Sequence, residues 1–145
     1  MNKDKEQINV LDEINKGACM GMDAISFILE KVKEDGLKKE LNRQYDKYKS
    51  ISEKICKLYP EYSEKHPHET NDMNKIMTWM GIEMKTITDD TTSKLAELLM
   101  QGTNMGIIEG RRLLNDKNMD NEVHEIVKEY VAVQEEAVEK LKHFL

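Results

Sequence analysis

Four polar residues interrupt helical seams that are otherwise apolar: Asn15, Gln44, Glu109 and Gln134. Only Glu109 can carry charge. A carboxylate in an apolar seam must pair, accept hydrogen bonds or take up a proton, and it is also the member of the set with the anionic oxygen that a divalent metal prefers. The three amides are neutral, suited to fixing the register of packed helices and weak as metal ligands. Glu109 is therefore expected to be satisfied by Asn15, Tyr130 or Arg112 and to hold the fold together, with metal ligation as the lesser reading. A second polar group, His66 and His68 with Glu64 and Glu69, has the donors to bind adventitious metal. His124 and His143 fall well away from the nearest seam and are expected to face outward. Cys19 and Cys56 match no metal or redox spacing and read as buried or half-buried reduced thiols.

The elements that carry these residues follow from apolar spacing. Ile8, Leu11, Asn15, Ala18, Met22, Ile25, Leu29 and Val32 alternate by threes and fours, predicting a first helix over about residues 5–34. Asp35-Gly36 is expected to stop it, with glycine in the left-handed conformation. Leu37, Leu41, Gln44, Tyr48, Ile51, Ile55, Leu58 and Tyr62 predict an antiparallel second helix, its end blurred by Pro60. Residues 63–71 read as loop. Met73, Met77, Met80 and Met84 then predict a shorter crossover helix over about 71–87.

Asp89-Asp90-Thr91-Thr92 supplies N-cap chemistry for a helix running to about Asn115. Leu95, Leu99, Gly102, Gly106, Glu109 and Leu113 share one of its faces, and Met100, Ile107, Ile108 and Leu114 lie nearly opposite. This helix is expected to be covered on both sides. After a turn at 116–118, Val123, Val127, Tyr130, Gln134, Ala137, Leu141 and Phe144 predict the last helix. Gly17 and Gly21, and Gly102, Gly106 and Gly110, are spaced by four. Each glycine costs a helix about 1 kcal/mol relative to alanine, which close approach of a neighbour, the preferred reading, or room for a ligand would offset.

The 145 residues form one domain, 1–145, large enough for its own core. Two prolines and seven glycines beside 34% charged residues favour an all-α chain. A net charge of −6 with no basic face argues against nucleic acid as a partner. No apolar stretch is long enough for a signal peptide or membrane span, so a cytoplasmic protein without membrane contact is expected. Trp79 and Ile82 lie together on the crossover pattern, away from its methionine stripe, and suggest a self-association surface of a homodimer or higher homo-oligomer.

Two long hairpins joined by a crossover with its own helix resemble the ferritin-like four-helix bundle, in the loose group of bacterial ferritin-like domains without assigned activity. The resemblance implies an up-down bundle with a long crossover containing an additional helix. In active members, ferritins and rubrerythrins among them, two helices each supply a glutamate and two supply Glu-x-x-His, together holding two metal ions. Here Gln44 and Gln134 stand where carboxylates would be needed, Lys47 and Ala137 follow three residues later in place of histidines, and Glu-x-x-His occurs nowhere. Counted from Gly36, Asn15 and Gln44 are offset by about 13 residues, roughly 19 Å, too far for one site.

The sequence therefore leads to a non-enzymatic structural or interaction protein with no cofactor. The alternatives are a divergent metal-dependent oxidase or iron-handling protein using iron or manganese, and a carrier of a small apolar ligand held among Met80, Met84 and Met105.

Overall fold

A computed structural model describes residues 2–64, 89–116 and 118–145. These residues form four long helices and no strand: α1 (Asn2–Leu29), α2 (Asp35–Leu58), α3 (Thr92–Asp116) and α4 (Asn121–Leu141), with single 3-10 turns at Tyr59–Glu61 and Lys142–Phe144. The all-α architecture is as expected. The predicted crossover helix, with Trp79, Ile82, Met80 and Met84, and the pair His66 and His68 lie outside the described residues.

Side-chain contacts between helices give each its direction. Asn15 and Asp12 on α1 meet Ser52 and Tyr59, so α1 and α2 are antiparallel. Arg43 meets Glu136, Lys54 meets Glu129 and Tyr62 meets Asp120, so α4 climbs as α2 descends. Gln7, near the start of α1, bonds to the turn between α3 and α4. Hence α1 and α4 run one way and α2 and α3 the other. The chain leaves α2 at one end of the bundle and enters α3 at the opposite end, as a crossover requires. α1 packs on α2 and α3, and α4 packs on α2 and α3, with α1 and α3 the most loosely joined of these neighbouring pairs.

The turn between α1 and α2 departs from expectation. α1 ends at Leu29, not near residue 34, and Gly36 belongs to the first turn of α2. Glu34 caps α2 instead, its carboxylate oxygens accepting from the Gly36 and Leu37 amides at 2.9 Å each. An anionic oxygen at unpaired N-terminal amides is doubly favoured, by hydrogen bonding and by the helix dipole, so Glu34-Asp35-Gly36 starts a helix where a left-handed stop was expected. No described glycine has a positive φ. α3 begins as its sequence suggests, with Thr91 Oγ1 accepting from the Lys94 amide at 3.3 Å.

The core is continuous through the bundle. α2 buries Leu37, Leu41, Gln44, Tyr48, Ile51, Ile55 and Leu58, the predicted seam. α1 buries Gln7, Val10, Ile14 and Ile28 besides the expected Leu11, Asn15, Ala18 and Ile25, with Ile8, Met22 and Leu29 half-buried, because it faces two neighbours and needs a stripe wider than a 3-4 seam. Among the described residues the second face of α3 is only partly covered: Met100, Ile107 and Leu114 are half-buried, while Ile108 is 51% and the neighbouring Met105 64% exposed. Cys19 is half-buried, but Cys56 is exposed on the outer side of α2; no disulfide joins them. No described helix is long and apolar enough to cross a membrane.

Candidate functional site

The four seam residues do not form one group. Asn15 is buried and its Oδ1 accepts from Ser52 Oγ at 2.7 Å. Since Ser52 stands opposite Asn15, Gln44, eight residues earlier in α2, lies about 12 Å higher in the bundle. Gln44, Gln134 and Glu109 instead border one cavity of about 430 Å³. Glu109 is not a buried seam carboxylate. It is exposed, on the rim, because α1 and α3 stand apart at this level and the face bearing Gly102, Gly106 and Glu109 opens outward.

Glycines on α1 and α3 shape the cavity, and bulky polar side chains from α2 and α4 fill the space those glycines leave. A Cβ on Gly17 would overlap the Tyr130 hydroxyl, and one on Gly106 would overlap the Gln134 amide. At Gly21 a Cβ would lie 2.8 Å from the Tyr48 ring. These glycines receive side chains reaching across from α2 and α4, not the closely approaching helix that their spacing suggested. Gly102 is different: a Cβ there would meet nothing within 4 Å, so it borders open space.

The floor consists of Tyr48, Tyr130, Gln44 and Gln134. The two tyrosine rings are tilted by 56° with centroids 6.4 Å apart, a favourable edge-to-face type of contact. Burial pushes the Tyr48 phenol up to about 12, opposed in part by hydrogen bonding from Gln134 and Thr103. Burial also raises Tyr130, with the Tyr48 hydroxyl adding to the effect. Both phenols are therefore neutral at physiological pH. Gln44 donates through Nε2 to Glu40 Oε2 at 2.7 Å, and Glu40 is itself held by Arg43. Gln134 is 3% exposed, and its Oε1 is the one buried side-chain polar atom without a hydrogen-bond partner among the described residues.

Apolar side chains of Ile25, Leu98 and Leu99 line much of the remaining wall, and Met20 and Met105 flank the opening. A volume of about 430 Å³ with largely apolar walls and a few convergent polar groups is the form of a small-molecule site. Two metal ions need several carboxylates or histidines at one level, and the cavity floor offers amides and neutral phenols. Among the described residues no group of three or more His, Cys, Asp or Glu is placed to hold a metal ion.

Sequence reasoning named Gln44, Gln134 and Met105 but not the paired tyrosines, which it read as seam residues. The readable signal was Gly17 and Gly21 on one helix with Tyr48 and Tyr130 on two others, small residues at the spacing that receives large ones. Set against protein-family models, curated proteins and solved structures, the chain matches none of them.

Proposed function

We propose that this chain is a non-enzymatic binding protein, a ferritin-like bundle without a di-metal centre whose interior takes a small, largely apolar molecule through the gap between α1 and α3. The observation that carries the reading is a cavity of about 430 Å³ with largely apolar walls, bordered by Gly102, whose missing side chain leaves open space. Glycine inside a helix is unfavourable by about 1 kcal/mol relative to alanine, which a bound molecule would offset. The ferritin-like relationship is supported by the directions of the four helices and the crossover between α2 and α3.

An environment-sensitive apolar dye should bind the purified protein, and native mass spectrometry should find a bound organic molecule. Gly102→Leu would occupy the cavity without displacing a neighbour, and it should weaken dye binding while the helical signal and melting temperature are kept. Equal dye binding by wild type and Gly102→Leu, or none by either, would defeat the proposal. The oxidase reading makes a different prediction, a melting temperature raised by iron(II) or manganese(II), since only a ligand of the folded state stabilises it. Self-association through Trp79 and Ile82 belongs to the same proposal on sequence grounds; Trp79→Ala should lower the sedimentation coefficient at high concentration.

A further inference from the structure

We infer that the cavity takes an amphiphilic amine, its apolar body between α1 and α3 and its cationic head held at the mouth by Glu109, with Glu13 adding to the negative field. This rests on the binding role proposed above and adds the chemistry of the occupant.

The mouth of the cavity is polarised along its length. Glu13 stands one turn before Gly17 on α1, and Glu109 three residues after Gly106 on α3. Because these helices run in opposite directions, both carboxylates are displaced toward the same end of the opening. Met20 follows Gly17 and Gly102 and Met105 precede Gly106, so the other end is apolar. Both carboxylates are exposed, and their charges add to burial in raising the Tyr130 phenol, so their field reaches the cavity floor. Lys16 is the one cation among the described lining residues, and it and Glu13 already have partners. Glu109 has no ion-pair partner among the described residues. The floor, with its amides and neutral phenols, offers no counter-ion, so a charged head is disfavoured there and the molecule enters apolar end first. Its body then lies along Leu98, Leu99 and Ile25, and its ammonium stays at the water-facing lip beside Glu109. A carboxylate head would meet repulsion at the same place.

The test is displacement of a neutral apolar dye from the full chain by a medium-chain primary amine and by the alcohol and carboxylate of the same chain length. At low ionic strength the amine should act at about threefold lower concentration than the alcohol and about tenfold lower than the carboxylate, as for one exposed ion pair made or opposed. High salt should bring the three closer together. Glu109→Gln should bring amine and alcohol nearly level, and Glu109→Lys should place the carboxylate ahead of the amine. Glu109 is exposed, so both variants should keep the helical signal. Amine and alcohol acting equally on wild type would overturn the charge assignment and leave the binding role intact. Preference for the carboxylate would seat the head on Lys16 and also overturn it, as would an amine preference that Glu109→Gln leaves unchanged. Dye that no compound displaces overturns the charge assignment, and dye that never binds defeats the binding role itself.

Discussion

Gln7 and Gln134 are two buried glutamines of the same bundle, 1% and 3% exposed, in opposite states. Gln7 spends both ends of its amide: Nε2 donates to the Asn118 carbonyl at 3.1 Å, and Oε1 accepts from the Asp120 amide at 3.0 Å. Around it, Tyr59 donates to Asp12, Tyr62 to Asp120 and Ser52 to Asn15, so side-chain bonds cross between helices throughout that end. One level higher, Gln134 lies against Gly106 with its carbonyl oxygen unpaired, and the helices beside it part. The difference separates a region built for stability from one that gives some stability up. Unsatisfied groups persist in native proteins chiefly where function uses them, and among the described residues the one such side-chain atom belongs to a residue bordering the cavity.

Alkaline pH should break the floor of the cavity with the largest effect. The Tyr48 phenol is raised from 10 to about 12 by burial, and Tyr130 moves the same way. A phenol that holds its proton more tightly folded than unfolded contributes stability that is complete below about pH 10 and is lost as pH rises through about 12. Tyr48 alone accounts for about 3 kcal/mol over that interval. Tyrosinate absorbance and helical circular dichroism, followed together, should show these phenols ionising as the helix signal is lost. Ionisation of all tyrosines near pH 10 with the helices intact would mean that the floor is open to water.

The two glutamines provide the next test. Gln7→Leu should destabilise by about 2 kcal/mol, because it strands the Asn118 carbonyl and the Asp120 amide. Gln134→Leu removes an unpaired acceptor together with the amide that bonds the Tyr48 and Tyr130 hydroxyls, so it should cost less than Gln7→Leu, about 1 kcal/mol. Urea unfolding of both variants would measure the contrast, and equal losses would show that Gln134 is satisfied after all.

Gly17→Ala and Gly21→Ala should each destabilise by about 1–2 kcal/mol, the overpacking outweighing the gain in helix propensity. The new methyl would meet the Tyr130 Cζ, 2.8 Å from the Gly17 Cβ position, or the Tyr48 ring at the same distance from Gly21. Thermal unfolding of each variant would show it, and stabilisation at either site would mean that the tyrosine rings can withdraw.

Legibility in the sequence divides along the same boundary. The seam of α2 matches its 3-4 pattern residue for residue from Leu37 to Leu58, and α4 buries its whole pattern from Val123 to Leu141 with Ile126 and Val131 besides, because each of these helices is covered by neighbours along its length. Glu109 satisfied the same pattern on α3 and still lies at the surface. Periodicity says which face a residue occupies but not how closely the next helix approaches, and at that level the next helix stands off. Gln7 left no signal because its partners are backbone groups more than 110 residues away. Gly36 misled for a related reason: glycine after an acidic residue suits a helix end, and only the reach of Glu34 back over the first amides of α2 makes it a beginning.

Gly102→Ala carries the smallest expected effect and the opposite sign. Gly102 shares its face with Gly106, four residues on, yet the two borders differ: a Cβ at Gly106 overlaps the Gln134 amide, whereas one at Gly102 meets no atom within 4 Å. Alanine at Gly102 therefore brings only the gain in helix propensity and the loss of unfolded-state freedom, together a stabilisation of about 0.5–1 kcal/mol. A methyl is also too small to block a cavity of about 430 Å³, so dye affinity should change little, in contrast to Gly102→Leu. Thermal melts of Gly102→Ala and Gly106→Ala measured side by side would settle the point. Opposite shifts support open space at one glycine and a seated side chain at the other, while destabilisation at both would mean that α1 and α3 close over the cavity in solution.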